Sequence, residues 1–417
     1  MKPRRDIIMK KQIVILGGGV SGKAVSALAE KLGYNSVIIN DSDTQILPPS
    51  DLVVASPGVH PLKSELYRQA KSEKRAMTGE LDFGASHLSK DIIQLAVTGT
   101  NGKTTTTELT CHLLNSLGVK CTACGNIGLP VSQVAADDRA DIRAVVIEVS
   151  SFQLELAENF APHAAVLLNL KSDHEERYQG GFEEYCEVKK RIFSNVPAAN
   201  KFYGVNSFPG QGRGVCRDGK LIYDNVVLIE NLNTTAFTAP HNQENLVAAT
   251  ELVLSVIPVE KLDVASFEKA VRDFKFGRHR IEFVTEKNGV KFYNDSKATN
   301  PSAVTSAVNA LVGQGGKIVL MLGGSDKGMD FSELALLEEH LRAVVLFGAA
   351  GETIGKVFSD SIRKISSGMD FCKAVNDAKN AAEQGDTVLL SPACASFDMF
   401  KGYDHRGDTF CELAGRL

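Results

Sequence analysis

Residues 97–107 read VTGTNGKTTTT. They follow an apolar run, IIQLAV (92–97), so the stretch reads as a strand entering a tight glycine turn and then a helix. Such a turn aims backbone N–H groups and the positive end of a helix at phosphate. The usual signature, G-x-x-x-x-G-K-[ST], is incomplete, because Val97 occupies the place of its first glycine. Gly99, Gly102, Lys103 and the hydroxyls of Thr104 and Thr105 remain.

A second loop lies upstream. Gly17 to Gly22 (GGGVSG) follows the strand-like QIVIL and fits G-x-G-x-x-G, with Asp41 near the end of the next apolar segment. On the motif alone this indicates a dinucleotide such as NAD. Gly17 and Gly22-Lys23 also carry the phosphate-loop spacing, but the next residue is Ala24, which has no hydroxyl for Mg²⁺. A nucleotide from which phosphate is transferred needs the metal, and the metal needs an oxygen ligand. Mg-ATP is therefore assigned to the loop at 99–105 and another diphosphate to the first loop, whose plainer reading is a ligand-free turn.

Composition sets the limits. With 417 residues the chain calls for two or three domains, and 43% hydrophobic with 23% charged residues is ordinary for a globular protein. A net charge of −4 gives no general attraction to nucleic acid or anionic membrane, so anion binding must be local. There is no apolar run of the roughly 20 residues that span a bilayer, and the opening segment is too short in apolar residues for a signal peptide. Together with 8 scattered cysteines, this leads us to expect a cytoplasmic enzyme with reduced thiols. Cys121 and Cys124 form one C-x-x-C, but no second pair follows to complete a structural zinc site.

Strands alternate with helical stretches in three segments, the pattern of parallel α/β sheets. The expected domains are 1–90 (QIVILGGG, SVIIND, DLVVASPG), 91–276 (QLAVTGT, AVVIEVSS, AAVLLNL) and 277–417 (KIVLMLGGSDKG, RAVVLFGAA, DTVLLSPACASF). Around 200–240 the sequence turns β-rich and loop-like, suggesting hairpins on an edge of the central sheet.

Further candidates sit at strand ends. Glu148, after AVVI, matches the position of a second metal ligand in a phosphate-loop site; the alternative is a solvated strand-end acid. Asp173 and His174 follow another apolar strand, and Lys189 lies on the cationic helix FEEYCEVKKRIF. Lys189 reads as a surface charge unless its amine is converted to a carbamate, which would make it a metal-binding carboxylate. In the third segment Asp295, Lys297, Thr299, Lys327 and Ser391 lie on short polar loops able to clamp an anion. Singly these loops read as turns and caps, with Asp295 or Ser296 capping the next segment; together they suggest a site.

GTNGKTTT, GNIG, EVSSFQLE, the Asp-His pair, HNQEN, GRHR, NDSKATNP and SPACASFDMF, in this order over essentially the whole chain, resemble the Mur ligases of peptidoglycan synthesis. The resemblance implies an N-terminal Rossmann-like domain for a UDP substrate, a central P-loop ATPase-type domain and a C-terminal Rossmann-like domain for an incoming amino acid. It implies ATP-driven amide formation through an acyl phosphate, with UDP-N-acetylmuramoyl-L-alanine and D-glutamate as substrates, two Mg²⁺ sites, no nucleic acid or membrane partner, and a monomer. A dinucleotide-type loop can then cradle the UDP pyrophosphate without any nicotinamide.

Carried over by motif, Gly99, Asn101, Gly102, Lys103, Thr104 and Thr105 correspond to the ATP phosphate loop, with Thr104 on the first Mg²⁺. Glu148, His174 and carbamylated Lys189 look like ligands of the second, with Asn126 near the reacting carboxylate. Asn245 resembles an adenine contact, Arg280 and Asp295 resemble ribose and phosphate contacts, and Lys297 a charge partner of the acyl phosphate. Thr299, Lys327, Ser391 and Phe397 correspond to D-glutamate contacts. Val20, Ser21, Asn40, Asp41 and Ser42 correspond to the UDP site.

Two departures stand out: KSDHEERY stands where the family usually shows a proline-aspartate-histidine-leucine run, and Asn40-Asp41-Ser42 differs from the aspartate-threonine-arginine of some members. Competing readings are a related ligase with another amino acid (a different Mur ligase or a folylpolyglutamate synthase-like enzyme), an NAD(P)-dependent dehydrogenase, and a P-loop module using ATP as a switch. The dehydrogenase reading leaves Lys103, Thr104 and Glu148 without a role.

Overall fold

The computed structural model describes residues 11–174, 177–313, 315–325 and 328–417, in two compact units divided between Phe274 and Lys275. Both are mixed α/β with mostly parallel sheets.

The first unit opens with β1 (Gln12–Leu16), α1 (Val20–Lys31), β2 (Asn35–Ile39), β3 (Leu52–Ala55), α2 (Glu65–Ser72), β4 (Met77–Gly79) and α3 (Glu80–Ser86). The strands form a parallel sheet in the order β2-β1-β3-β4. A larger group follows: β5 (Ile93–Thr98), α4 (Lys103–Ser116), β6 (Cys121–Gly125), α5 (Val131–Asp137), β7 (Ala144–Glu148), α6 (Ser151–Leu154), β8 (Ala164–Leu167), α7 (Gly181–Lys190) and β9 (Lys201–Tyr203). Its parallel sheet has the order β6-β7-β5-β8-β9. The inner strands β7 and β8 are near-continuous buried runs, as in a parallel sheet covered on both faces; all five residues of β7 are buried. Helices α1 and α3 pack against α5, so Ile15, Val25 and Leu28 share one core with Val131, Val134 and Ile147.

Residues 200–240 depart from the sequence expectation. Only β9 joins the central sheet; β10 (Gly214–Arg217), β11 (Lys220–Tyr223) and β12 (Val226–Ile229) make an antiparallel sheet of their own. The reason lies in α8 (Pro240–Leu254), which precedes α9 (Val264–Asp273): buried Glu251 accepts hydrogen bonds from the backbone N–H groups of Arg213 (2.7 Å) and Gly214 (3.2 Å), pinning β10 to the helix.

The second unit contains β13 (Glu282–Lys287), β14 (Val290–Asn294), α10 (Pro301–Leu311), β15 (Ile318–Gly323), β16 (Leu341–Phe347), α11 (Gly351–Gly355), β17 (Arg363–Gly368), α12 (Phe371–Ala381), β18 (Thr387–Ala393) and α13 (Tyr403–Arg416). Its sheet runs β13-β14-β18-β15-β16-β17, parallel except for β13. The β13–β14 hairpin turns on Asn288 (φ 51°) and Gly289 (φ 75°), the left-handed pair that matches strand twist. Asn300, not Asp295 or Ser296, caps α10, accepting from the Ala303 N–H at 2.9 Å. No described helix is long and apolar enough to cross a membrane.

Candidate functional site

The 99–105 loop joins β5 to α4 and is held by Asn169, just after β8. The Asn169 side chain accepts from the Asn101 N–H (2.8 Å) and donates to the Asn101 carbonyl (3.1 Å), while the Asn169 carbonyl accepts from the Thr100 N–H (2.9 Å). Gly102 caps α4 with φ 85°, and a Cβ there would lie 2.2 Å from Asn245 Oδ1 on α8. The loop thus needs glycine for both conformation and space. Asn245 Oδ1 also accepts from Thr106 Oγ1 at 3.3 Å, which places the predicted adenine residue beside the loop. Thr104 is half-buried and Thr105 buried in the first turn of α4.

Lys103 is the first residue of α4, and it is half-buried. Its Nζ donates to the carbonyls of Gly99 (2.9 Å) and Thr100 (2.7 Å). The Gly99 carbonyl accepts a second amine, Lys189 Nζ, at 2.8 Å. Lys189 is not a surface charge: it is 2% exposed on the inner face of α7, with its Nζ 4.9 Å from the Tyr185 ring centroid. Burial, reinforced by the nearby Lys103 ammonium, pushes this amine well below the usual lysine range. Tyr185, not singled out from the sequence, has its hydroxyl 3.0 Å from Thr100 Oγ1 and its ring beside Lys189.

Glu148 ends β7 inside this cluster at 3% exposure. Its Oε1 accepts from Asn126 Nδ2 at 2.8 Å, and Asn126 is further fixed by its N–H donating to the Glu148 carbonyl at 2.8 Å. Glu148 Oε2 is buried without a hydrogen-bond partner among the described residues. A buried carboxylate oxygen left in that state is costly, and a cation would satisfy it. With the Thr104 hydroxyl on the first turn of α4, Glu148 fits a hard divalent cation such as Mg²⁺. His174, at φ 57°, sits with Nε2 3.6 Å from Asp173 and packs edge-on against Phe152 at 4.8 Å. Among the described residues no three His, Cys, Asp or Glu side chains converge as a metal cluster, so a site there needs Thr104 or a modified Lys189. Cys121 and Cys124 are buried free thiols.

Asn126 also lines a cavity of about 730 Å³, walled by the Gly17–Ser21 turn, Asn40, Asp41 and the 56–64 loop. Val20, Ser21, Asn40 and Asp41 are therefore brought together as expected from their motif. Close packing explains Gly22, where a Cβ would lie 1.9 Å from the Gly17 carbonyl. Asn40 Oδ1 accepts from the Gly18 N–H (2.9 Å), and Asp41 Oδ1 accepts from Ser64 Oγ (3.1 Å) and the Leu66 N–H (3.0 Å) at the start of α2.

In the second unit, Asp295 follows β14 and is buried: Oδ2 accepts from Ser391 Oγ at 2.7 Å and Oδ1 from the Ile281 N–H at 3.2 Å. Burial pushes its carboxyl up to about 7, against the lowering effect of those bonds and of nearby Arg280 and Arg406. Lys297 Nζ lies 3.7 Å from the Tyr403 ring centroid. Thr299 is half-buried, Phe397 is 73% exposed, and Lys327 lies outside the described residues. Sequence reasoning missed Arg406 of α13. Its buried guanidinium donates to Ser296 Oγ (3.0 Å) and to the carbonyls of Ser296 (2.9 Å) and Cys394 (3.0 Å), tying together the loops that follow β14 and β18. An arginine on a polar helix face carries no sequence signal of burial.

Residues 97–207 match the Mur ligase middle domain, and residues 279–394 match the Mur ligase glutamate ligase domain. The chain is 33% identical to the UDP-N-acetylmuramoylalanine–D-glutamate ligase of Cytophaga hutchinsonii over 98% of this chain and 100% of that protein. It is 38% identical to the enzyme of the same name from Desulfosudis oleivorans, over 93% of this chain and 87% of that one. Among solved structures, UDP-N-acetylmuramate-alanine ligase of Thermotoga maritima is similar at TM-score 0.60 and 18% identity, covering 97% of this chain and 99% of that one. The MurF ligase of the same organism, in complex with ADP, is similar at TM-score 0.59 and 19% identity, covering 98% and 96%. At such identities the structural likeness is one of fold.

Proposed function

From the premise that the chain belongs to the Mur ligase family, we propose that it is the ATP-dependent ligase that joins D-glutamate to UDP-N-acetylmuramoyl-L-alanine in peptidoglycan precursor synthesis. The observation that carries this reading is the near-full-length identity to relatives of that name, joined to a glycine-turn loop with Lys103 and Thr104 at a helix start. A free carboxylate has no adequate leaving group. Its oxygen therefore attacks the γ-phosphorus of ATP, the bond to the β-phosphate oxygen breaks, and ADP leaves an acyl phosphate. The neutral amine of D-glutamate then attacks the carbonyl carbon, loses a proton, and phosphate departs as the amide forms.

In this reading the three functional parts are 1–90 for the UDP substrate, 91–276 for ATP and 277–417 for the amino acid. The α4 N-terminus and Lys103 hold the transferring phosphate, with the lysine exchanging carbonyl partners for phosphate oxygens. Asn126, anchored on Glu148 and lining the large cavity, orients the substrate carboxylate. Thr104, Glu148, His174 and carbamylated Lys189 would hold Mg²⁺. The ion would supply positive charge against the developing phosphoryl charge. The carbamate reading is supported by burial of Lys189, since only a neutral amine adds to CO₂. Asn245, Arg280 and Asp295 serve the nucleotide, Lys297 the acyl phosphate, and Thr299, Lys327, Ser391 and Phe397 D-glutamate. We also propose a cytoplasmic monomer.

The test is phosphate release from ATP by the purified chain. Turnover is expected only when the UDP-muramoyl-alanine precursor and D-glutamate are both present; equal rates with L-glutamate or L-alanine would defeat the amino-acid assignment.

A further inference from the structure

The large cavity of the first unit is short of positive charge for the ligand assigned to it. A nucleoside diphosphate brings about two negative charges to its walls. Of the turn that should receive them, the Gly17 and Gly18 N–H groups are already spent on the Ile39 carbonyl (3.0 Å) and Asn40 Oδ1 (2.9 Å). That leaves the first-turn amides of α1, worth about half a charge. Lys23, the cation that the glycine spacing offers, is exposed and absent from the wall. The wall carboxylate, Asp41, is occupied by the Ser64 hydroxyl and the Leu66 N–H at the start of α2.

Among the described wall residues the one lysine or arginine is Lys63. Its loop is firmly built. Ser56 Oγ donates to the Gly17 carbonyl (3.0 Å), Arg177 Nη2 donates to the Val59 carbonyl (3.0 Å), and the Lys63 and Ser64 N–H groups donate to the His60 carbonyl (3.1 and 2.9 Å). Arg177 is itself fixed by Glu155 at 2.6 and 2.8 Å. The lysine stem thus starts from a backbone locked to the glycine turn, and the exposed side chain is part of the cavity wall.

We propose that Lys63 is a specificity-determining residue of this site: it supplies the counter-charge for the diphosphate of the UDP substrate in the cavity it shares with the glycine turn. The proposal rests on the assignment of this cavity to a UDP-linked substrate.

Calorimetric titration of the full chain with UDP and with uridine tests it. Wild type is expected to prefer UDP. Lys63→Met should weaken UDP binding on the order of tenfold, as expected for one charge-assisted contact, and leave uridine unchanged. Lys63→Arg should restore the preference. In turnover, Lys63→Met should raise KM for the UDP substrate with kcat and KM for ATP unchanged, and flatten the dependence of that KM on salt. Equal UDP affinity in wild type and Lys63→Met overturns the role of Lys63 while leaving the cavity assignment standing. A wild-type chain that binds neither UDP nor uridine overturns both.

Discussion

Asp295→Asn should remove one strongly pH-dependent contribution to the stability of the second unit. The folded carboxyl is held at about 7 against an ordinary 3.8, chiefly because it is buried. The folded form therefore keeps its proton over a range where the unfolded chain has lost it, and stability present at low pH is lost as pH rises from about 3.8 toward and past 7. With these two values, linkage gives a loss of about 2.5 kcal/mol between roughly pH 5 and pH 8. Asparagine can keep the Ile281 N–H bond through its oxygen and can meet Ser391 Oγ with its amide, and any cost of that rearrangement is the same at every pH. It cancels when the wild-type-to-variant difference at one pH is compared with that at the other. At roughly 2–4 °C per kcal/mol for a unit of this size, the melting-temperature difference should move in favour of the variant by about 5–10 °C between pH 5 and pH 8. Scanning calorimetry of both proteins, following the transition of the second unit, measures it. A difference that stays constant within about 1 °C across that range would refute the claim that the enclosed carboxyl resists ionisation.

Two other substitutions probe the first unit. Gly102→Ala must place a Cβ at φ 85° and 2.2 Å from Asn245 Oδ1; we expect a loss of about 2–3 kcal/mol in urea unfolding and of ATP binding, and near wild-type values for both would show that the turn is not tight. Lys189→Ala should be inactive and partly rescued by short-chain carboxylic acids that replace the carbamate; a full rate without any added acid would show that Lys189 is not part of the site.

Much of the fold was legible because buried parallel strands leave a clear trace: LAV within β5 and AVVI within β7 are unbroken apolar runs, and each glycine loop announces a strand-to-helix turn. Local chemistry was equally readable. Gly102, Lys103 and Thr104 lie within one turn of chain, and their spacing alone indicates phosphate. The 200–240 region misled because hairpin periodicity says nothing about which sheet a strand joins; a carboxylate on α8, distant in sequence, decided it.

The amino-acid sequence by itself determined the α/β class, the two glycine loops and the candidate side chains, since these depend on periodicity and on residues adjacent along the chain. Tertiary structure alone decided that Lys189 is buried against the Gly99 carbonyl, that Glu148 keeps an oxygen unsatisfied among the described residues, that Asp41 accepts a first-turn amide of α2, and that Arg406 binds two loops together. Burial and charge pairing are properties of surroundings assembled from far-apart segments, and protonation follows from them.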